Sequence, residues 1–162
     1  MNIQLARTDQ IPSVQSFFQK HLAREMEGIY SDEFVCPLGV RAAVGRQQIL
    51  VAVVNGEIVG AIRFYPKKTV RKVFLYQFAI DERFRGSGLL QQMLAQCGDT
   101  PIHVLCPVES SFNKFYEKAG FQSLEQGNEF NEWVYTKILC RFTDFPNGKA
   151  LTFRFGINEH SS

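Results

Sequence analysis

The dipeptide Asn55-Gly56, set between two apolar runs, constrains the fold of this chain more than any other feature. The runs Ile49 to Val54 and Ile58 to Tyr65 are rich in the β-branched residues typical of strands. Asn-Gly is a preferred centre for a two-residue hairpin because both residues tolerate a positive φ. A third run of this kind, Val73 to Ile80, follows a basic turn. The sequence therefore predicts an antiparallel meander of three strands.

Helical and strand patterns alternate on either side of this meander. The predicted elements outside it are a strand at Ile3 to Leu5, a helix after Asp9, helices at Pro37 to Arg46 and Leu89 to Leu94, a strand at Ile102 to Leu105, a helix at Ser110 to Ala119, and strands at Phe121 to Leu124 and Trp133 to Leu139. Strands that first meander and later alternate with helices predict an α/β (α+β) fold. We expect a mixed, mostly antiparallel sheet with helices on both faces.

Length and composition predict one well-packed domain. Folding of a chain of this length buries about 68–70% of the surface that the unfolded chain exposes. Apolar residues make up 45% of the 162 residues and fifteen are Phe, which excludes a disordered or collagen-like class. The formal net charge of +2 gives no reason to expect nucleic acid or a membrane surface as a partner.

Targeting and metal-binding signals are weak in this sequence. No apolar run is long enough for a signal peptide or a membrane span, so we expect a soluble, cytoplasmic protein. The four cysteines lack Cys-x-x-Cys spacing, and His103 with Cys106 has no second pair to complete four zinc ligands. We therefore expect free thiols in a reducing compartment and no metal site.

A loop with two glycines, Asp81 to Gly88, joins the last strand of the meander to the next helix. The free amides of a helix's first turn carry roughly half a positive charge and bind anions such as phosphate. Gly86 and Gly88 let the backbone approach such an anion without a Cβ in the way. Arg83 and Arg85 add positive charge and forked hydrogen-bond donors. The loop is a candidate phosphate or pyrophosphate site.

Three interpretations of this loop compete. A kinase-type phosphate loop requires a Lys followed by Ser or Thr, which does not occur here. A dinucleotide-binding fingerprint requires a third Gly at the position of Gln91, and a βαβ unit in place of the predicted hairpins. A structural turn that merely needs glycine is the third interpretation, and an isolated Gly-x-Gly does not exclude it.

Two segments at the expected separation resemble signatures of the GNAT superfamily of N-acetyltransferases. Arg85 to Gly88 reads Arg-Gly-Ser-Gly and resembles the Arg/Gln-x-x-Gly-x-Gly/Ala signature, with Phe78 to Asp81 resembling the preceding fourth strand. Phe115 to Phe121 resembles the family's Phe-Tyr-Glu-Lys-Leu-Gly-Phe segment. The resemblance is strong from Ile49 to Phe121. We expect a GNAT-like domain over residues 1–140 and a C-terminal hairpin extension over 141–162, packed on the same domain or on a partner subunit.

The resemblance implies that two central strands splay apart and that the cosubstrate acetyl-CoA lies between them. Its pantetheine arm would hydrogen-bond the backbone of Phe78, Ala79 and Ile80. Its pyrophosphate would be bound by Arg85 and by the loop amides, which belong to Gly86, Ser87, Gly88, Leu89 and Leu90. Tyr116 matches a tyrosine that acts as general acid near the cofactor sulfur in many members. The implied reaction is direct attack of a primary amine, from a small molecule or a peptide, on the thioester in a ternary complex.

Some positions depart from the family pattern. Leu90 stands where the signature has Gly or Ala, which adds bulk beside the phosphate cradle. Glu109 replaces an Asn that touches the cofactor in many members, and Asn113, one turn later, is a candidate substitute. Neither the fourth nor the fifth predicted strand carries a carboxylate, so the general base is unassigned. The polar alternatives are Tyr76, His103, Glu25 and Glu27.

Two other functions are compatible with these residues. The same fold without a base would serve as a non-catalytic acyl-CoA sensor or interaction module. A nucleic-acid platform on the aromatic strands would need a basic face, which the small net charge does not support.

The acidic loop Glu25 to Phe34 frames the acceptor pocket in the family, and the Phe-rich tail is able to pair with a second subunit as a homodimer. The acceptor itself is not specified by the sequence.

Overall fold

The computed structural model of the protein describes residues 1–22 and 36–137, so the predicted acidic loop at 25–34 and the predicted hairpin at 141–156 lie outside it. Its helices are α1 (Ile11–Leu22), α2 (Pro37–Gly45), α3 (Leu89–Gln96) and α4 (Phe112–Lys118). Its strands are β1 (Asn2–Leu5), β2 (Ile49–Val54), β3 (Glu57–Lys67), β4 (Lys72–Ile80), β5 (Ile102–Pro107), β6 (Gln122–Gln126) and β7 (Phe130–Tyr135). This order confirms the predicted one. None of these helices combines the length and the apolar run needed to cross a bilayer.

The described strands form one sheet in the order β1-β2-β3-β4-β5-β7-β6. Every neighbouring pair is antiparallel except β4 and β5, which run parallel. Asn55 and Gly56 have φ angles of 50° and 83°, which confirms the predicted hairpin turn. The expected mixed, mostly antiparallel sheet is confirmed.

Helices cover both faces of the sheet, as predicted. On one face, α1 and α2 enclose a core in which Val14, Phe18 and Val40 are fully buried. On the other face, α3 and α4 enclose the larger core, where Met93 and Leu94 are fully buried. The two cores place α1 and α2 on the opposite side of the sheet from α3 and α4.

One extra residue in β4 changes the faces that its side chains occupy. Consecutive residues of β3 lie opposite Leu75 and Gln77, so Tyr76 is inserted between them as a β-bulge. Leu75 belongs to the core under α3 and α4, and Phe78 packs against that same core after the bulge. Ala79 belongs to the core under α1 and α2. Simple alternation would put Leu75 and Ala79 on the same face of the sheet. Because of the bulge, their side chains lie on opposite faces.

The parallel strands β4 and β5 pair only where they begin. Two residue pairs join them, and the last is Phe74 with His103. Beyond this pair both strands continue without pairing to each other, so a cleft opens between them. The splayed central strands that the family resemblance implied are therefore present.

Candidate active site

The cleft between β4 and β5 has a volume of about 880 Å³. One wall is the β4 segment from Leu75 to Ile80, and the facing wall is the β5 segment from Val104 to Pro107. Helix α4 and the loop before α3 complete the lining with Phe112, Phe115, Tyr116, Arg85, Gly86 and Gly88. Most of the predicted site residues therefore meet at one cavity.

The backbone of β4 presents polar groups to this cleft. The amide of Asp81 donates to the carbonyl of Val59 on β3 at 2.9 Å. Because backbone groups alternate in direction along a strand, the amides and carbonyls of Ile80 and Phe78 point away from β3, toward the cleft. The Ile80 carbonyl accepts a hydrogen bond of 3.3 Å from Arg85 Nε, in keeping with this direction. By the same alternation Ala79 directs its backbone groups to β3, so two of the three predicted backbone sites face the cleft.

The loop before α3 has the backbone conformation that its glycines allow. Gly86 and Gly88 have φ angles of 74° and 77°, in the left-handed region where a side chain is strained. The amide of Gln92 donates to the Gly88 carbonyl at 3.1 Å, so the amides from Gly88 to Gln91 precede the first intrahelical bond. Ser87 lies outside the cleft lining, and its hydroxyl donates to the Phe84 carbonyl at 2.6 Å. The loop therefore leads into a helix N-terminus that favours anions, and a hydrogen bond within the turn stabilises its conformation.

The two arginines of the loop are used differently. Arg83 turns back to the carboxylate of Asp81, with its Nε 3.0 Å from Oδ1 and its Nη2 3.1 Å from Oδ2. This hydrogen bonding lowers the pKa of the buried Asp81 carboxyl to about 2. Arg85 lines the cleft. Of the two arginines, Arg85 is therefore the one that stands beside the candidate phosphate site.

The side chains of Leu89 and Leu90 belong to the core rather than to the loop. Leu89 is 1% exposed and Leu90 is 8% exposed, and both pack in the cluster under α3 and α4. The extra bulk that distinguishes Leu90 from the family pattern is accommodated in this core, while its amide stays at the start of α3. The sequence could not show this, because it depends on how α3 rotates against the sheet.

Tyr116 of α4 lines the cleft within a group of aromatic rings. Its ring centroid lies 5.2 Å from that of Phe121, 5.6 Å from Phe115 and 6.4 Å from Phe78. The side chain is 8% exposed, and this burial raises the pKa of its phenol well above the ordinary value. Tyr116 is therefore protonated, and able to donate a hydrogen bond, at neutral pH.

Asn113, the candidate substitute for a cofactor-binding amide, lies outside the cleft lining. Its Nδ2 donates to three carbonyls at the end of β5 and in the loop that follows, those of Pro107, Val108 and Ser110, at 2.8 to 3.0 Å. Its Oδ1 accepts hydrogen bonds from side chains of β7 at 2.9 and 3.0 Å. Asn113 thus holds the loop that leads into α4, and its amide is already fully used in doing so.

A histidine–carboxylate pair stands where β4 and β5 begin to part. His103 Nδ1 lies 2.7 Å from Glu132 Oε1, and Lys72 Nζ lies 3.5 Å from the same oxygen. Burial alone would raise the pKa of Glu132, but the hydrogen bond from His103 and the charge of Lys72 together lower it. His103 was one of the polar alternatives in the sequence. Glu132 was not, because only the pairing of β5 with β7 brings it there.

His21, at the end of α1, also lines the cleft and was not singled out in the sequence. It is buried against Phe17, with ring centroids 4.4 Å apart. Its Nε2 is buried and has no hydrogen-bond partner within residues 1–22 and 36–137. Burial and the charge of Lys20 lower the pKa of His21, so the ring is neutral at pH 7. No pattern in the sequence distinguishes this residue from an ordinary polar residue of an amphipathic helix.

Three of the four cysteines lie in the part of the chain that the structure describes. Cys36, Cys97 and Cys106 are free thiols. In the described ranges, no three His, Cys, Asp or Glu side chains are grouped so as to hold a metal ion.

Comparison with known proteins places this architecture in a family. Residues 45–123 match the family model described as an acetyltransferase (GNAT) domain. No protein of curated function matches the sequence significantly. The PaiA N-acetyltransferase of Thermoplasma acidophilum, solved in complex with coenzyme A, has a similar structure, with a TM-score of 0.66, 13% identity, and coverage of 84% of this chain and 98% of that one.

Two further solved structures are similar at comparable identity. A GNAT-family acetyltransferase from Listeria monocytogenes aligns with a TM-score of 0.68 and 14% identity, over 84% of this chain and 94% of that chain. One from Streptococcus agalactiae aligns with a TM-score of 0.66 and 14% identity, over 84% and 95%. At such identities the likeness is one of fold. The domain model, matched over residues 45–123, adds the family, and together with the shared fold it supports assignment of this chain to the GNAT acetyltransferase superfamily.

Proposed function

We propose that this protein transfers the acetyl group of acetyl-CoA to a primary amine, by direct attack within a ternary complex. The observation that carries the proposal is the splayed β4–β5 cleft. It combines outward backbone groups at Phe78 and Ile80, a helix terminus behind two left-handed glycines, and a buried tyrosine on the third side.

The cleft supports a specific division of labour in binding the cosubstrate. The backbone groups of Phe78 and Ile80 would pair with the amides of the pantetheine arm as an adjacent strand does. The amides of Gly86 and of Gly88 to Leu90 would bind the pyrophosphate, since the Ser87 amide already donates to the Phe84 carbonyl at 3.4 Å, and Arg85 would add a charge-assisted hydrogen bond. Asn113 contributes indirectly, by holding the loop that leads into α4.

Tyr116 suits the departure of the thiolate. Attack of the amine on the thioester expels coenzyme A as a thiolate, whose conjugate acid has a pKa of about 8.5, while an ordinary phenol has a pKa of about 10. Burial raises the pKa of Tyr116 further, so its proton is present throughout the neutral range. In the proposed role, Tyr116 donates a hydrogen bond that stabilises the leaving thiolate, and complete transfer of its proton is the costlier route because the pKa of the phenol exceeds that of the thiol.

The attacking amine must also lose a proton. An amine with a pKa of about 10.4 is mostly protonated at pH 7, a handicap of roughly 4–5 kcal/mol. We assign the acceptance of this proton to His103, through water. Glu132 fixes the ring by binding Nδ1 at 2.7 Å, which leaves Nε2 as the other site for a proton. The residue belongs to the last β4–β5 pair and borders the cleft without lining it, so a water molecule would carry the proton to Nε2.

The experiment is an acetyl-transfer assay with a panel of primary amines. Purified protein and acetyl-CoA should release free coenzyme A and form an equal amount of acetylated amine, both followed by mass spectrometry. Binding of acetyl-CoA with no turnover across the panel would favour the alternative function, a non-catalytic acyl-CoA sensor on the same fold. Failure to bind acetyl-CoA would reject both.

A further inference from the structure

Arg63 of β3 is a buried cation on the α1–α2 face of the sheet. It is 8% exposed, and its Nε has no hydrogen-bond partner in the described part of the chain. No carboxylate of residues 1–22 or 36–137 forms an ion pair with it. The Nε atom has lost its water without gaining a hydrogen-bond acceptor, and a largely buried cation without a counter-charge is energetically unfavourable. The charge therefore calls for an anionic partner from outside these residues.

Two tyrosine rings fix the position of this guanidinium. Its central carbon lies 4.7 Å from the ring centroid of Tyr76 and 5.3 Å from that of Tyr65. The two rings meet edge to face at 5.2 Å. Cation–π contacts hold the group in place, but they do not supply the hydrogen-bond acceptors that its N–H donors require. A planar fork held in this way is preorganised for a carboxylate.

The location of Arg63 connects it to the cleft. In the sheet it lies opposite Gln77, and Gln77 and Tyr76 line the cleft, so Arg63 lies directly behind the lining rather than in it. On its other side is the first turn of α2, where a Cβ added to Gly39 would lie 3.3 Å from Nη1 of Arg63. The absence of a side chain at Gly39 thus gives the guanidinium room beside the start of a helix, which itself favours negative charge.

The same face of the sheet carries a second polar group. Phe74 lies two residues before Tyr76 on β4, and its ring centroid is 5.6 Å from that of His103. His103 binds Glu132 at 2.7 Å. An aromatic strip therefore runs from the Arg63 guanidinium to the histidine–carboxylate pair. At one end of the strip Arg63 is able to bind a carboxylate. At the other end His103 is able to accept the proton of an amine.

We propose that the acceptor is a small molecule that carries both an amine and a carboxylate, as an amino acid does, and that Arg63 binds its carboxylate. This inference rests on the proposed acetyl transfer and names the acceptor class for it. The carboxylate would neutralise the buried guanidinium, and the aromatic strip would contact the apolar part of the acceptor. An amine without a carboxylate would leave Arg63 buried and unpaired in the complex.

The test compares acceptors that differ only in the carboxylate. Matched pairs are lysine with cadaverine and ornithine with putrescine, in which an apolar chain separates the side-chain amine from the carboxylate. With wild-type protein, the carboxylate-bearing member of each acetylated pair should have the higher kcat/KM, by about tenfold or more, as expected for a charge-assisted hydrogen bond. Arg63→Met should abolish this preference while the KM for acetyl-CoA stays unchanged.

Arg63→Lys keeps the positive charge but loses the planar pair of N–H donors, so it should retain part of the preference for carboxylate-bearing amines. This variant also serves as the test if Arg63→Met does not fold. Circular dichroism checks the fold of both variants. Equal or better use of the carboxylate-free amines, or an unchanged preference in Arg63→Met, would overturn the inference. So would acetyl-CoA binding with no acetylation of any carboxylate-bearing amine, although the cosubstrate site would then stand. Absence of acetyl-CoA binding would remove the proposed function itself and this inference with it.

Discussion

Tyr116 and Leu90 both line the cleft and are equally buried, but burial acts on them differently. For Tyr116, loss of water raises the pKa of the phenol and keeps it a proton donor. For Leu90, burial moves the side chain into the core, so a departure from the family signature leaves the backbone amide in place. Residue identity alone predicts neither effect, because each depends on what surrounds the side chain.

Tyr116→Phe removes the hydroxyl and preserves the ring packing with Phe121 and Phe78. We expect kcat for acetyl transfer to fall about 100-fold, as for the loss of a general acid, with the KM for acetyl-CoA nearly unchanged. Steady-state kinetics with both substrates varied measures the two constants. A kcat within twofold of the wild type would show that the hydroxyl takes no part in the reaction.

Asp81 links stability to pH at the loop before α3. Its folded pKa of about 2 lies below the ordinary 3.8, so its contribution is present above pH 3.8 and is lost as the pH falls toward 2. Asp81→Asn should lower the free energy of unfolding at pH 7 by about 1–2 kcal/mol, with allowance for the exposed Arg83 partner. Urea unfolding at pH 7, 5 and 3 should show the difference from wild type shrinking only at the lowest pH.

The control for Asp81 is Glu57→Gln. Glu57 Oε2 lies 3.6 Å from the same arginine but is largely exposed, so its removal should change stability by less than about 0.5 kcal/mol. An effect as large as that of Asp81→Asn would show that the loop responds to net charge rather than to the hydrogen bonds of Asp81.

The site residues could be predicted from the sequence where the chemistry is local. Gly86, Gly88 and Tyr116 lie in short segments that carry their own signal. Glu132 could not be predicted, because it reaches His103 across two strands that are paired only in the folded sheet. Arg63 was missed for a similar reason, since its burial depends on packing between β3, β4 and α2.

At the scale of elements, turn chemistry was the most reliable guide. Asn55 and Gly56 have the positive φ angles that a two-residue hairpin turn requires, as the sequence predicts. Strand β7 begins at Phe130 rather than at the predicted Trp133, because the Gly127 amide donates to the Phe130 carbonyl and closes a tight turn there. The bulge at Tyr76 has no local signature. It shows only when β3 and β4 are paired.

Gly88→Ala tests the loop that precedes α3. Gly88 has a φ of 77°, and a Cβ there would meet no protein atom within 4 Å, so the variant is strained but not crowded. We expect a loss of about 1 kcal/mol in stability together with a tenfold or greater weakening of acetyl-CoA binding, since relief of the strain re-aims the amides. Thermal unfolding and calorimetric titration measure the two effects.

Gly98→Ala is the matched control at the other end of α3. Gly98 has a φ of 105° and equally open surroundings, but it does not line the cleft. This variant should lose similar stability and bind acetyl-CoA as the wild type does. Equal weakening of binding in both variants would mean that strain anywhere in α3, and not the loop geometry, controls the site.

The whole molecule shows how a sheet acquires a binding cleft. Six strand pairs join the described sheet, and the single parallel pair, β4 with β5, breaks after two residues. Each of these strands pairs on its other edge, β4 with β3 and β5 with β7, so the sheet stays intact around the opening. The same fold recurs at 13–14% identity, which indicates that the pattern of apolar residues and turns, rather than particular side chains, specifies it.

Calorimetric titration of the purified protein with acetyl-CoA at two salt concentrations tests the proposed cosubstrate site. We expect saturable binding at one site, weaker at the higher salt because phosphates contribute, and weaker again in Gly88→Ala but not in Gly98→Ala. Absence of saturable binding at millimolar acetyl-CoA, in protein shown to be folded by circular dichroism, would contradict the proposed site.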